Sequence, residues 1–289
     1  MKLPSPPGPV LPLLSLDTVW FQVGGTICNL RCTHCFISCA PDNHTHKMLD
    51  LEAVRRTLEE AVRLGAREYY FTGGEPFMNR ELFPILQETL RAGPATVLTN
   101  GLLLDPKRCA LLKKLDEGTE FSLDLRISLD GWGPQDHDRI RGAGTFRRAL
   151  TGIRNLWEAG LNPVVTVTEL AQGVGTPEGR ERFLASLRSW GLLKPRLKVL
   201  SVFRMGAEET RGGGYHSWER LDESAAVDPE VLQCGTGRMV TSEGVFVCPI
   251  LIDFPAARMG ATLAQALRPF ELRYPACHTC HVQGVTCRT

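Results

Sequence analysis

Between Thr18 and Phe203 one pattern recurs: a short apolar run, a loop, then a segment with apolar residues at helical spacing. The runs Thr18–Val23, Glu68–Phe71, Thr96–Leu98, Leu123–Leu129, Val164–Thr168 and Leu197–Phe203 are rich in Val, Ile, Leu and aromatic residues. Continuous apolar runs of this kind suit strands covered on both faces. Helices are expected between them near 51–64, 81–91, 106–115, 146–158 and 178–190. In the first, Leu51, Val54, Leu58, Val62 and Leu64 recur near helical spacing, Asp50 can cap the start and Gly65 can close the end. Thr145 is placed to cap the fourth, with Leu150, Ile153 and Trp157 facing inward. Strands alternating with helices imply right-handed crossovers and a parallel sheet. Six units fall short of the eight of a closed barrel. The fold class is therefore α/β, a partial (β/α)6 TIM-like barrel with its chemistry at the carboxyl ends of the strands.

The organisation changes on either side of this repeat. Residues 1–16 form a proline-rich start. Residues 17–205 hold the barrel, and 206–233, with Gly212-Gly213-Gly214 and scattered acids, read as a linker or crossover. Residues 234–289 form a small cysteine-rich β-hairpin/α subdomain. In it Arg238–Thr241 and Val245–Cys248, joined by Ser242-Glu243-Gly244, suit a hairpin, and Thr262–Leu267 a short helix. Leu11 to Leu16 is too short and too interrupted for a signal-peptide core. No apolar run approaches the ~20 residues that cross a bilayer, so a soluble, cytoplasmic protein without a membrane partner is expected. With 33 basic against 32 acidic residues the chain lacks the basic footprint of a nucleic-acid binder.

Ten cysteines are the abnormal feature of the composition. Cys28, Cys32 and Cys35 cluster early; Cys234, Cys248, Cys277, Cys280 and Cys287 cluster late; Cys39 and Cys109 stand apart as small packing residues. In a chain of this size without an export signal, tight clustering favours metal ligation over disulfides. Cys28-Asn-Leu-Arg-Cys32-Thr-His-Cys35 follows the first strand. Three thiolates so spaced can wrap one cluster, and a 4Fe–4S cube held by three cysteines keeps one iron open. A zinc knot or a set of redox thiols is the alternative on spacing alone. Thr72-Gly73-Gly74-Glu75-Pro76 follows the second strand, where two glycines let backbone approach a ligand closely.

Together these segments resemble the radical S-adenosylmethionine (SAM) superfamily over nearly the whole chain. The CxxxCxxC loop and the GGEP turn are its signatures. Thr99-Asn100-Gly101 after the third strand, Ser128-Leu129-Asp130-Gly131 after the fourth, Arg141-Gly142 with Thr145-Phe146, and Phe203-Arg204-Met205-Gly206 after the sixth agree with it. The resemblance implies that Cys28, Cys32 and Cys35 hold a 4Fe–4S cluster whose open iron takes the amino and carboxylate groups of SAM. Gly73, Gly74 and Glu75 would contact the methionyl end, His34 would pack near the adenine, and Asn100 belongs to the same binding set. Ser128 and Asp130 are candidates for the ribose hydroxyls, with strand-end capping as the alternative.

The late cysteines resemble a twitch or SPASM-type auxiliary domain. Cys234, Cys248, Cys277 and Cys280 would hold a second, auxiliary 4Fe–4S cluster, with Cys287 as a substitute ligand or a spare. Four cysteines also make a closed zinc site. His44 and His46 are expected in a solvated loop, Asp136, His137 and Asp138 in an exposed polar turn, and His278 and His281 beside the auxiliary ligands.

The implied activity is reductive cleavage of SAM and hydrogen abstraction from a substrate, with a flavodoxin or ferredoxin as electron donor. Oxidation or rearrangement of a small metabolite leads. Maturation of a peptide is the alternative, although fewer than twenty residues before the first strand leave no leader-binding domain in this chain. A GTP cyclase is set aside because the sequence ends Thr286-Cys287-Arg288-Thr289 rather than in the Gly-Gly of that family. A non-catalytic zinc or iron–sulfur scaffold is the third class. No residue is singled out as a catalytic acid or base.

Overall fold

The predicted alternation becomes a single curved sheet. A computed structural model of the chain describes residues 7–284. Its first half runs β1 (Val10–Leu11), β2 (Thr18–Phe21), α1 (Leu51–Arg63), β3 (Glu68–Phe71), α2 (Leu82–Thr89), β4 (Ala95–Thr99), α3 (Pro106–Glu117) and β5 (Leu123–Ser128). Then follow α4 (Pro134–Arg141), α5 (Thr145–Glu158), β6 (Val164–Thr168), α6 (Pro177–Ser189), β7 (Arg196–Leu200) and α7 (Ala207–Gly212). The C-terminal part contains β8 (Gly237–Thr241), β9 (Gly244–Phe246), β10 (Arg258–Gly260), β11 (Phe270–Glu271) and α8 (Pro275–Gln283).

Strands β2 to β7 lie side by side in chain order, all parallel, as an α/β partial barrel requires. The hairpin β8–β9 does not stand apart from them. β8 pairs in parallel with β2, Thr18 opposite Gly237, and β9 and β10 continue the same sheet antiparallel. The proline-rich start is tied to the other end of the chain, because β1 pairs with β11.

Side-chain alternation then divides the barrel. Val19, Phe21, Tyr69, Phe71, Val97, Leu125, Ile127, Val165 and Val167 point outward and are buried. The helices cover them with Val54, Leu58 and Ala61 of α1, Ile85 and Leu86 of α2, Leu112 of α3, Ile153 and Leu156 of α5, and Phe183 and Leu187 of α6. Trp20, Thr72, Leu98, Arg126, Ser128, Thr166 and Leu200 face inward and line a cavity.

Local chemistry sets the helix ends. Asp50 caps α1, accepting from the Ala53 N–H at 2.7 Å, and Leu64 with Gly65 closes it. Val62 is half exposed, its expected inward place taken by Ala61. At α5 the cap is Gly144, in the left-handed region at φ 75°, and Thr145 is the first helical residue instead. In α5 Leu156 is buried where Trp157 was expected. Two further expectations are corrected. Asp136, His137 and Asp138 belong to α4, with His137 fully buried, because the loop after β5 turns back over the barrel mouth. His46 is buried, its Nε2 3.2 Å from Asp253 Oδ1, whereas His44 is exposed. Thr262–Leu267 holds only the single tight turn Ala264–Ala266. Among the described residues no helix is long and apolar enough to cross a membrane.

Candidate active site

The three early cysteines sit on the loop after β2, which is fixed on three sides. Its start, Gly24 to Ile27, runs against the glycine turn after β3: the N–H of Gly74 donates to Gly25 O at 2.8 Å and that of Glu75 to Ile27 O at 3.0 Å. The approach is so close that a Cβ on Gly74 would lie 1.9 Å from Ile27 O. Glycine is required there by packing alone. On a second side the Thr33 N–H donates to Ile140 O of α4 at 2.9 Å. On the third, the Ala207 N–H after β7 donates to Cys35 O at 2.9 Å.

Held in this way, Cys28, Cys32 and Cys35 line one cavity of about 250 Å³ together with His34, Gly73, Gly74, Asn100, Ser128, Arg126 and Arg141. Burial raises the Cys28 thiol to about 12, against a lowering contact from the Leu30 N–H, and raises Cys32 as well. Cys35 is lowered to about 6: its thiolate accepts from the Cys39 thiol and from the Cys39 N–H at 3.3 Å, and burial opposes the shift. Cys39, expected only to pack, is buried and lines the same cavity. Cys109 is buried in α3, as expected of a packing residue. Metal binding requires thiolates, so cluster insertion must displace the protons that burial otherwise retains on Cys28 and Cys32.

Glu75 does not reach the cavity. It is fully buried, and its carboxylate accepts from Thr99 Oγ1 at 2.6 Å, the Asn100 N–H at 2.9 Å and the Phe77 N–H at 3.2 Å. Burial raises its pKa despite these bonds. Its effect is to hold the turn after β4, from which the Asn100 amide donates to Asn29 Oδ1 at 2.7 Å and lies 3.8 Å from Cys28 Sγ.

Asp130 is equally enclosed. One oxygen accepts from the Thr168 N–H at 2.7 Å and hydroxyl at 2.8 Å; the other meets Arg141 Nε at 2.6 Å and His34 Nε2 at 3.1 Å. Burial would raise its pKa, but Arg141 and His34 hold it well below the usual carboxylate range. The Asp130 N–H donates to His137 Nδ1 at 3.0 Å. Asp130 thus caps the strand end and orients two cavity residues. Arg141, which lies against Cys32 and Cys35, is a site residue to which the motif Arg141-Gly142 assigns no role by itself; its spacing from the Ser128-Leu129-Asp130 strand end is the available signal.

The late cysteines also converge. Cys234 lies on a tight turn before β8, Cys248 follows β9, and Cys277 and Cys280 are one turn apart on α8. All four line one apolar cavity with Val247, Leu251, Phe270 and Leu272. Cys287 lies outside the described residues. His278 and His281 flank these thiols on α8. Beside them Arg238, 1% exposed, donates to the carbonyls of Ala266, Cys234, Gly237 and Arg268. Pro249 and Ile250 line both this cavity and the barrel cavity.

A parallel open barrel with three loop thiols beside a glycine turn at its carboxyl end defines a class built to seat a cluster and a small ligand together. The model of the radical SAM superfamily matches residues 23–185; the chain belongs to that superfamily, and SAM and one 4Fe–4S cluster are its cofactors. It is 33% identical over 156 residues to the GTP 3′,8-cyclase of Petrotoga mobilis, covering 52% of this chain and 46% of that one. It is 31% identical over 149 residues to the Fe-coproporphyrin III synthase of Methanosarcina barkeri, covering 51% and 36%. The chain therefore spans about half or less of the length of these curated relatives. In structure it resembles anSMEcpe with bound AdoMet, at a TM-score of 0.63, 14% identity and coverage of 86% of this chain and 79% of the other. It also resembles Streptococcus suis SuiB bound to S-adenosylmethionine, at 0.58, 14%, 84% and 62%. These two likenesses concern the fold alone.

Proposed function

We propose that the barrel cavity is where SAM is cleaved reductively and a hydrogen is taken from a small-molecule substrate. The observation that carries this proposal is the convergence of Cys28, Cys32, Cys35 and the Gly73-Gly74 turn on one cavity. The donor set fits: three thiols of one loop suit a 4Fe–4S cluster with an open iron, and the glycine turn leaves backbone without side chains beside it. Cys28, Cys32 and Cys35 would hold that cluster, which when bound would supply the electron for reductive cleavage of SAM. The chain's own residues do the rest. Gly73 and Gly74 would admit the methionyl end, Arg141 would face its carboxylate, and His34 and Ser128 would border the nucleoside. Asp130 and Glu75 position Arg141, His34 and Asn100 from behind the wall. A flavodoxin or ferredoxin would donate the electron.

The names of the curated relatives favour a small-molecule substrate over a peptide. They also restore a GTP-cyclase-like rearrangement beside metabolite oxidation. For the tail we infer a second 4Fe–4S cluster on Cys234, Cys248, Cys277 and Cys280. What supports this reading is that all four thiols line one apolar cavity. The shared walls Pro249 and Ile250 would let that cluster exchange an electron with the substrate site.

Anaerobic iron, sulfide and zinc analysis with a 5′-deoxyadenosine assay tests both parts. About eight irons per chain, at four per cube, should fall to about four in the Cys28/Cys32/Cys35→Ala protein, with SAM cleavage abolished. Zinc without iron after reconstitution would sink the catalytic proposal.

A further inference from the structure

We infer that Cys39 is a positioning residue for the barrel cluster: it keeps hydrogen bonds on the ligand sulfur of Cys35 and thereby raises the cluster's reduction potential. The inference rests on Cys28, Cys32 and Cys35 holding a cluster, as proposed above. Cys39 comes four residues after the last of the three ligands. It is 5% exposed, yet it lines the same cavity as they do. A residue needed only for packing has no reason to sit on that wall.

The backbone delivers Cys39 to Cys35 from both sides. On the far side Ala40 is pinned: its N–H donates to Thr26 O at 3.2 Å, and its O accepts from the Cys28 N–H at 3.1 Å. These bonds close the cysteine loop as a bridge between Ile27 and Ala40. On the near side the Ser38 N–H donates to Cys35 O at 3.2 Å, and Ser38 has φ 49°. Among the described residues no other residue except glycine has a positive φ. Such a conformation is uncommon and persists where the surrounding structure requires it. Here it folds the chain back over Cys35, so that the Cys39 N–H donates to Cys35 Sγ at 3.3 Å. The Cys39 thiol meets the same sulfur.

A sulfur that ligates iron carries no proton. With the cluster in place, Cys39 is therefore the donor of the thiol bond, and its N–H and S–H both point at one ligand. Cys28 Sγ, by comparison, accepts from the Leu30 N–H at 3.4 Å. Reduction adds negative charge that the ligand sulfurs share, so donors aimed at them favour the reduced cluster. Hydrogen bonds to the sulfurs are among the determinants of a cluster's potential. A thiol suits this place because it packs like a small apolar group and still offers a proton.

Redox titration of the anaerobically reconstituted full chain, followed by electron paramagnetic resonance, tests the assignment. The barrel cluster gives the signal that is missing from the Cys28/Cys32/Cys35→Ala protein and that changes when SAM is added. Cys39→Ala should keep its iron and disfavour reduction of that cluster about threefold to tenfold, tenfold being 59 mV for one electron. Cys39→Ser, which retains a donor, should restore the wild-type potential. Cys109→Ala, in α3 and away from the cavity wall, should leave it unchanged. Cys39→Val fills the thiol's space without a donor and serves if Cys39→Ala does not load iron. An unchanged potential in the variants without a donor overturns the inference and leaves the proposed catalysis standing. Loss of this cluster from all three Cys39 variants overturns it too, by making Cys39 a ligand or a packing requirement. Absence of any signal that depends on Cys28, Cys32 and Cys35 overturns the catalytic reading and the inference together.

Discussion

Arg141 donates from Nε to Oδ2 of Asp130 at 2.6 Å, with the carboxylate wholly buried and the guanidinium nearly so. This pair joins α4 to the end of β5 and sets where the cavity's cation lies. Asp130→Asn would leave Arg141 buried without its counter-charge. Breaking such a pair from one side costs about 3–5 kcal/mol, and the loss should appear as a lower denaturant midpoint. SAM affinity should fall with it, because the guanidinium is no longer held. A midpoint unchanged from wild type would show that water reaches the pair.

His137 gives a pH dependence of definite sign. Its Nδ1 accepts from the Asp130 N–H at 3.0 Å, so the imidazole must be neutral in the folded protein. Burial and the nearby Arg141 lower its pKa to about 4, against about 6.5 in the unfolded chain. Between those values the unfolded state binds the proton first, so stability falls as pH drops from about 6.5 to about 4. The loss at the lower limit is about 3 kcal/mol. Unfolding free energies measured at pH 7 and pH 4.5 in wild type and His137→Phe check this; the variant should show the shallower slope.

The barrel was legible in sequence because its strands are continuous apolar runs and its first helix is capped by Asp50 and closed by Gly65. The cysteine loop and glycine turn were legible as motifs. What escaped was set by tertiary contact. Residues 134–141 look polar because only His137 and Ile140 are buried, yet α4 supports both Thr33 and Arg141. Glu75 reads as a ligand contact and Asp130 as either a ligand contact or a strand-end cap; in space both carboxylates also hold residues that line the cavity. The hairpin β8–β9 reads as a separate unit because nothing local to residues 237–246 reveals that Gly237 pairs with Thr18.

Gly74→Ala tests whether the glycine turn is a packing requirement before it is a ligand contact. The added Cβ would lie 1.9 Å from Ile27 O and 2.9 Å from the Cys28 N, so the cysteine loop must move. Overpacking of this kind costs about 1–3 kcal/mol. Iron content after reconstitution should drop together with the melting temperature, even without SAM present. Full iron loading with loss of SAM binding alone would assign the glycine to the ligand only.

Arg238 joins the tail to the sheet. Its guanidinium donates to Cys234 O and Gly237 O at 2.7 Å and to Ala266 O and Arg268 O at 2.9 Å, and burial lowers its pKa to about 10. A buried cation bonded only to carbonyls is stable here if negative charge lies near, and Cys234 and Cys248 are its favourable electrostatic neighbours. Arg238→Met keeps the volume but strands four buried carbonyls. Each unsatisfied group costs about 1–3 kcal/mol, so the segment from Cys234 to α8 should lose its protection. Hydrogen exchange of β8 and β9 should accelerate at least tenfold, while α2 and α3 exchange at the wild-type rate. With the auxiliary cluster assembled, removing this positive charge should also lower that cluster's reduction potential, measured by redox titration. A potential that does not move would mean that Arg238 acts on the carbonyls alone.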